Sequence, residues 1–209
     1  MFIVLAIGFG AQLFFSARIL VQWLMSERAR RVLSPSIFWV LSLCGSYLMC
    51  LYGYLRSDFS IVLGQFISYY IYLWNLSLKG VFGRLHVALR ALLLLTPVLA
   101  LLAVLSDAES AYMEFFHNAD VPLWLLVYGS AGQVIFVMRF IYQWFYSYRR
   151  HESMLPAGFW IISLVGSLTI VSYGVMRGDI VLMVGQSFGL VAYIRNLIIG
   201  SRRSRGEKA

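Results

Sequence analysis

Charge is what this sequence has least of. Among 209 residues, Asp and Glu together number nine, and charged residues of both signs make up 12%. A water-soluble domain carries roughly 25%, so a solvated globule is excluded. Cysteine is nearly absent. Cys44 and Cys50 lie in one predicted helix, about 9 Å apart along its axis at the usual helical rise, out of disulfide reach. They are expected to be small core residues. The three histidines, His86, His117 and His151, fall in predicted loops without metal-ligand spacing. No Ser-His-Asp set, phosphate-binding loop or dinucleotide fingerprint is present. Neither a metal nor a cofactor is expected. The first apolar stretch has no basic run before it and no small-residue cleavage site, so it is expected to be a retained helix rather than a cleaved leader. The short alternating segments of a membrane β-barrel are missing too.

Hydrophobic residues fill the space, at 61% with a mean hydropathy of +0.79. Charge-poor segments long enough to cross ~30 Å of hydrocarbon recur at Phe2–Met25, Ile37–Tyr54, Ser60–Leu78, Val87–Leu105, Leu123–Phe145, Gly158–Val175 and Ile180–Ile199. They predict an all-α membrane protein with seven transmembrane helices.

One pattern occurs twice, 121 residues apart and without a gap. Gln12, Arg18, Gln22, Trp23 and Ser26 return as Gln133, Arg139, Gln143, Trp144 and Ser147. Pro35, Phe38, Trp39, Ser42, Gly45 and Ser46 return as Pro156, Phe159, Trp160, Ser163, Gly166 and Ser167. Tyr52, Gly53, Arg56 and Asp58 return as Tyr173, Gly174, Arg177 and Asp179. Gly64, Gln65, Tyr72, Asn75 and Leu76 return as Gly185, Gln186, Tyr193, Asn196 and Leu197. Across Gly8–Lys79 and Gly129–Gly200, 24 of 72 positions are identical, most of them polar, aromatic or glycine. A repeat kept only for packing would preserve aliphatic character, so these residues point to a site between two similar halves.

Three spans per repeat reverse direction, and the unrepeated Val87–Leu105 restores it. The repeats are therefore expected to run parallel, as a three-plus-one-plus-three bundle. The divisions are a first three-helix unit at 1–80, a loop and linker helix at 81–121, a second unit at 122–200 and a basic tail at 201–209. Arg28, Arg30, Arg31, Lys79, Arg84, Arg90, Arg149, Arg150 and the tail share one side. Only Arg56 and Arg177 fall on the other, with the acidic loop of Asp107, Glu109, Glu114 and Asp120. By the positive-inside bias the N-terminus is outside and the C-terminus cytoplasmic. The net charge of +8 comes mostly from this bias and the tail. Anionic lipid headgroups, not nucleic acid, are its expected neighbour.

The layout resembles that of the PQ-loop and SWEET transporters, without the proline-glutamine pair that names the former. The doubled motifs are more specific. G-x3-Q-x5-R-x3-QW-x2-S, P-x2-FW-x2-S-x2-GS, YG-x2-R-x-D, GQ and Y-x2-NL together resemble the lipid-A-disaccharide synthase N-terminal domain family of bacterial inner-membrane proteins. Each repeat is about the length of that domain, so the chain resembles two copies of it in tandem. The resemblance implies an inner-membrane protein that handles lipid-linked sugar, beside enzymes that make or use polyprenyl-phosphate sugars for envelope glycolipids.

Arg18 and Arg139 stand inside the first helix of each repeat, where an arginine costs ~2.5–3.5 kcal/mol unless partnered, placed in a cavity or snorkelling to headgroups. A guanidinium fork suits phosphate, and Gln22 or Gln143 one turn later extends the same face. Arg195, standing where the first repeat has Trp74, is expected to add a third charge to that pocket. Gln65, Tyr72 and Asn75, and Gln186, Tyr193 and Asn196, share one helix side and suit sugar hydroxyls, with Gln12 and Gln133 along the path. Interhelical hydrogen bonding is the alternative, and for the tyrosines an interfacial belt. Ser42, Gly45, Ser46 and Gly53 with their counterparts are expected to serve close packing, and Phe38-Trp39 and Phe159-Trp160 to anchor in the interface. Arg56 and Asp58, and Arg177 and Asp179, are expected to pair locally and cap the next helix, or to form an outer gate.

These readings favour a transporter or flippase for an anionic lipid-linked sugar, a polyprenyl-monophosphate glycoside, over two alternatives. One is a membrane partner docking a glycosyltransferase through its basic loops, and the other is a SWEET-like sugar uniporter. With no acid, base or nucleophile set among the motifs, no enzymatic activity is expected.

Overall fold

A computed structural model describes residues 2–106 and 122–206 of the protein. Asp107, Glu109, Glu114, His117 and Asp120 of the acidic loop, and Lys208 of the tail, lie outside the described residues. The elements are α1 (Phe2–Ala29), α2 (Ser36–Leu55), α3 (Phe59–Leu78), a 3-10 turn (Phe82–Arg84), α4 (Val87–Ser106), α5 (Leu123–Arg150), α6 (Ala157–Arg177) and α7 (Ile180–Gly206). Six of the seven helices are long and apolar enough to cross a membrane. The remaining one, α4, has 20 residues, and at 1.5 Å per residue reaches ~30 Å, one hydrocarbon thickness.

The turns repeat with the helices. Pro35 and Pro156 occupy the residue before α2 and α6 in extended conformation, where a missing N–H costs nothing. Asp58 accepts from the Ile61 amide at 3.2 Å and Asp179 from the Leu182 amide at 3.1 Å, so each aspartate caps the last helix of its half. The residue before each aspartate is left-handed, with φ of 50° at Ser57 and 64° at Gly178. Only the second half places a glycine where this conformation carries no Cβ penalty.

Packing closes the repeat helices into a ring in the order α1, α2, α3, α5, α6, α7, with α7 against α1. The two halves therefore meet along two seams, α3 with α5 and α7 with α1. Small residues set the spacing within each half. A Cβ at Gly45 would fall 2.6 Å from the Phe15 ring, and one at Gly166 would fall 2.6 Å from the Phe136 backbone. Without a hydrophobic drive between helices in lipid, such close approach is what holds them together. The outer faces present Leu13, Leu20, Leu24, Ile161, Val165 and Leu168 to the bilayer. Cys44 is exposed on this surface rather than in the core, and neither cysteine is bonded.

Helix α4 lies outside the ring against α3. Pro97 lacks the N–H that would bond the Leu93 carbonyl one turn back, and the Tyr69 hydroxyl donates to that carbonyl instead at 2.7 Å. Tyr70 donates to the next carbonyl, Leu94, at 3.3 Å. Leu92, Leu95, Val98, Leu99, Leu101 and Leu102 of α4 are exposed and face lipid.

Two expectations about aromatics are corrected. Trp39 and Trp160 are 0% and 1% exposed, and Phe38 and Phe159 are equally buried, so none serves an interfacial belt. Tyr72 and Tyr193 are buried as well. The rings instead pack on one another through Phe140, 6.2 Å from Trp39, 5.0 Å from Tyr72 and 5.4 Å from Phe159. Shape complementarity between opposed rings outweighs their affinity for headgroups.

Candidate functional site

Arg18 on α1 and Arg139 on α5 meet at the centre of the ring, 4% and 2% exposed. Snorkelling is thereby excluded for both. Arg18 donates from Nη1 to the Ser42 hydroxyl at 2.8 Å and to the Tyr72 hydroxyl at 3.5 Å. Arg139 donates to the Tyr193 hydroxyl at 3.3 Å. The remaining neighbours are ring faces. Arg18 lies 4.5 Å from Phe15 and 5.3 Å from Phe38, and Arg139 lies 3.3 Å from Phe136 and 5.6 Å from Phe159. Both sit near Phe140, at 5.8 and 4.5 Å, so the two cations share one ring. Among the described residues no carboxylate pairs with either arginine, and the Nε of each has no hydrogen-bond partner. Cation–π contacts are worth ~0.5–2 kcal/mol, well short of what a carboxylate or phosphate supplies to a desolvated guanidinium. The centre is short of negative charge.

Between the arginines lies a cavity of about 30 Å³ lined by Gln12, Gln65, Gln133 and Gln186 together with Arg18 and Arg139. Such a volume holds one or two waters, far less than a sugar. The Gln65 carbonyl oxygen has no partner, while Gln186 accepts from the Ser167 hydroxyl at 3.0 Å. The doubled Gly-Gln motif has a structural reason. A Cβ at Gly64 would stand 2.7 Å from the Gln133 carbonyl oxygen, and a Cβ at Gly185 would overlap the Gln12 amide. Each half thus leaves room for the glutamine of the other.

Two seals close this cavity, one at each end. At the end bearing the basic loops, Gln22 and Asn196 exchange amide hydrogen bonds at 2.9 and 3.1 Å across the α1–α7 seam. Gln143 and Asn75 do the same at 3.0 and 3.2 Å across the α3–α5 seam. Ser26 and Ser147 brace the glutamines at 2.9 Å each. All four amides are fully buried. Gln22 and Gln143, expected beside the arginines, and Asn75 and Asn196, expected on sugar, are therefore consumed by one another in this state.

At the opposite end the aspartates pair across the halves, not locally. Tyr52 donates to Asp179 at 2.8 Å and Tyr173 to Asp58 at 2.7 Å. Arg56 lies 3.9 Å from Asp179, and Arg177 lies 3.8 Å from Asp58. Capping explains the exchange, because the oxygen not bonded to the helix amide points at the facing half. Asp58 stands outside the helical spans, and burial raises its carboxyl above the ordinary range against the lowering effects of Tyr173, the Ile61 amide and Arg177.

Arg195 is not in the cavity. Its guanidinium grips Glu27 at 3.1 and 2.5 Å on the outer face, and the two side chains are 36% and 43% exposed. One position before the inward-facing Asn196, a helix turns by about 100°, which carries Arg195 to the flank of α1. Trp74, its counterpart, likewise reaches outward to Trp144 at 6.0 Å. The cross-half amide pairs were missed by sequence reasoning. The signal was there in the doubled Gln22 and Asn75 positions, but a repeat does not say whose partner is whose.

Ring, cavity and seals define a duplicated three-helix membrane protein with a sealed cationic centre. The Lipid A Biosynthesis N-terminal domain family matches residues 7–77 and again 128–198, and the chain belongs to that family. The lipid-A-disaccharide synthase of Chlamydia felis is 31% identical over 211 residues, covering 95% of this chain and 33% of that protein. Those of Chlamydia caviae and Chlamydia pneumoniae are each 32% identical, over 209 and 205 residues. The chain thus spans about a third of the length of the curated relatives it matches. No solved structure matches it. The expectation of no enzymatic activity is overturned by these relatives, which are named for an enzyme. The absence of an acid, base and nucleophile set within the repeats was too narrow a ground for it.

Proposed function

We propose that the protein works in glycolipid biosynthesis by binding the anionic head of a lipid-linked sugar, a polyprenyl-monophosphate glycoside, and carrying it between leaflets. The observation that supports this most is the pair of buried guanidiniums, one from each half, with no carboxylate partner among the described residues. The phosphodiester would take the unbonded Nε positions and share its single negative charge between the two cations, while Gln12, Gln133, Gln65 and Gln186 meet the sugar. Since the cavity is too small for a sugar, the state described is an occluded one, and the seals must open alternately. The amide pairs are then the inner gate and the Asp58 and Asp179 clusters the outer gate. The membrane is proposed to be the bacterial inner membrane, with the N-terminus periplasmic and the C-terminus cytoplasmic. Reporters fused after Ala209 and inserted at Ser110 should read cytoplasm and periplasm, and a cytoplasmic signal at Ser110 would reverse the orientation.

The test is binding of purified protein to polyprenyl monophosphate and to the matching polyprenol. The phosphate lipid should bind at least tenfold more tightly, and Arg18→Gln or Arg139→Gln should remove most of that preference, since hydrogen bonds to charged groups contribute ~1.5–3 kcal/mol. Equal affinity for both lipids would end the reading. A second reading, presentation of the lipid head to a glycosyl-transferring partner or segment, is favoured by the longer synthases, in which the matched region is about a third of the protein.

A further inference from the structure

Resting on the carrier reading, we infer that the lipid head enters sideways between α1 and α7, while the α3–α5 seam stays shut and acts as the hinge. A head with a polyprenyl tail cannot be swallowed whole, so one seam must part to let the tail remain in the bilayer. The repeat makes the two seams comparable position by position: hydroxyl bonds and aromatic rings tie α3–α5 where α1–α7 has apolar residues and one exposed ion pair.

On α3–α5, the Ser60 hydroxyl bonds Ser130 at 3.0 Å and the Leu126 carbonyl at 3.3 Å. The counterparts on α1–α7 are Val181 and Phe9, which offer no hydroxyl. On α3–α5, Ser153 adds a 2.9 Å bond to Asn75 of the amide pair. Its counterpart, Val32, adds nothing to Asn196. At the seam's outer edge Trp74 packs on Trp144 at 6.0 Å and Trp144 stacks on Tyr148 at 5.8 Å. The chain itself runs from α3 through α4 into α5, with α4 held to α3 by Tyr69 and Tyr70, so this seam is bridged covalently.

The α1–α7 edge has the Glu27–Arg195 pair instead, partly exposed, with Trp23 donating to Glu27 at 3.2 Å. An exposed ion pair is solvated and screened, holds weakly and exchanges partners readily. A phosphate is a better acceptor for the guanidinium fork than a carboxylate already shared with an indole. The lipid head therefore displaces Glu27 from Arg195 as it arrives, which unfastens the seam and draws the phosphate toward the cavity.

Spin labels report this without relying on transport. In a background with Cys44→Ala and Cys50→Ala, Leu24→Cys with Ile198→Cys labels the α1–α7 edge. Phe145→Cys with Ser77→Cys labels the equivalent positions of α3–α5, and all four residues are exposed. In bilayer discs containing polyprenyl monophosphate, the first pair should gain a second, longer distance population and the second pair should keep one narrow population. Polyprenol should leave both unchanged. Glu27→Tyr with Arg195→Trp, which copies the aromatic edge, should abolish the longer population at α1–α7. Broadening at α3–α5, equal broadening at both, or no lipid response at either would overturn the inference. Loss of phosphate selectivity in the binding test would overturn the carrier reading separately.

Discussion

The two ends of the cavity are closed by opposite chemistries. At one end neutral amides bond neutral amides, with serine hydroxyls behind them. At the other, carboxylates bond phenols and face guanidiniums. Each seal is built twice, and each joins one half to the other. The amide end is fully buried, so its strength is independent of pH and salt and rests on complete satisfaction of every donor. The carboxylate end touches solvent through Arg56, which is 34% exposed, and it answers to both.

Removing amides from the neutral end should have the largest effect. Asn75→Leu with Asn196→Leu leaves Gln22 and Gln143 buried without their partners, at ~1–3 kcal/mol for each orphaned group. Thermal unfolding in detergent should drop by several degrees. An unchanged melting temperature would mean that water replaces the lost amides and that the seal is already wet.

The second contrast is in pH. Because burial raises the Asp58 carboxyl, the closed end holds its proton at a higher pH than an opened, hydrated one. The closed form therefore binds more protons between the ordinary carboxylate range and the raised value. By linkage its stability is greatest in acid and is lost as pH rises through that window. Tyr173, Arg177 and Asp179 all face this group and set how wide the window is. Melting temperature measured against pH should fall across it in the wild type, and Asp58→Asn should flatten the curve. The same slope in both proteins would move the titration elsewhere.

The smallest expected effect separates the two amide pairs. Ser153→Val copies the Val32 of the other half and deletes the extra bond to Asn75. Interhelical hydrogen bonds in membranes average ~0.6 kcal/mol, so the stability change should be of that size. Hydrogen exchange on α3 near Asn75 should rise toward that on α7 near Asn196. A persisting difference would assign the asymmetry to α4 instead.

Much of this architecture is legible in the sequence. The spans follow from length and missing charge, and the duplication follows from an ungapped spacing that holds over Gly8–Lys79. The central arginines stand out because lipid makes them costly. What is not legible is pairing across the halves. Arg56 and Asp58 are close enough in sequence to suggest a local ion pair, and only the capping geometry turns Asp58 toward Tyr173 and Arg177. Arg195 was placed in the cavity because it breaks the repeat. Helix geometry turns this position outward in both halves, as Trp74 shows, and an outward position escapes the constraint the site imposes and can differ between repeats. Trp39 and Trp160 misled through composition, since a buried ring cluster and an interfacial belt use the same residues.

The pair of fixed positive charges at the middle of the ring also bears on what must not pass. Under the carrier reading proposed above, the protein would open first to one side and then to the other of a membrane whose ion gradient the cell works to maintain. Any sodium ion or hydronium entering the cavity would meet Arg18 and Arg139, both beside Phe140, with no carboxylate among the described residues to soften them. At low effective dielectric that repulsion amounts to several kcal/mol. On that reading the same two residues that would welcome a phosphate would also make the chamber an electrostatic plug, suppressing leakage of cations even when neither seal is fully shut.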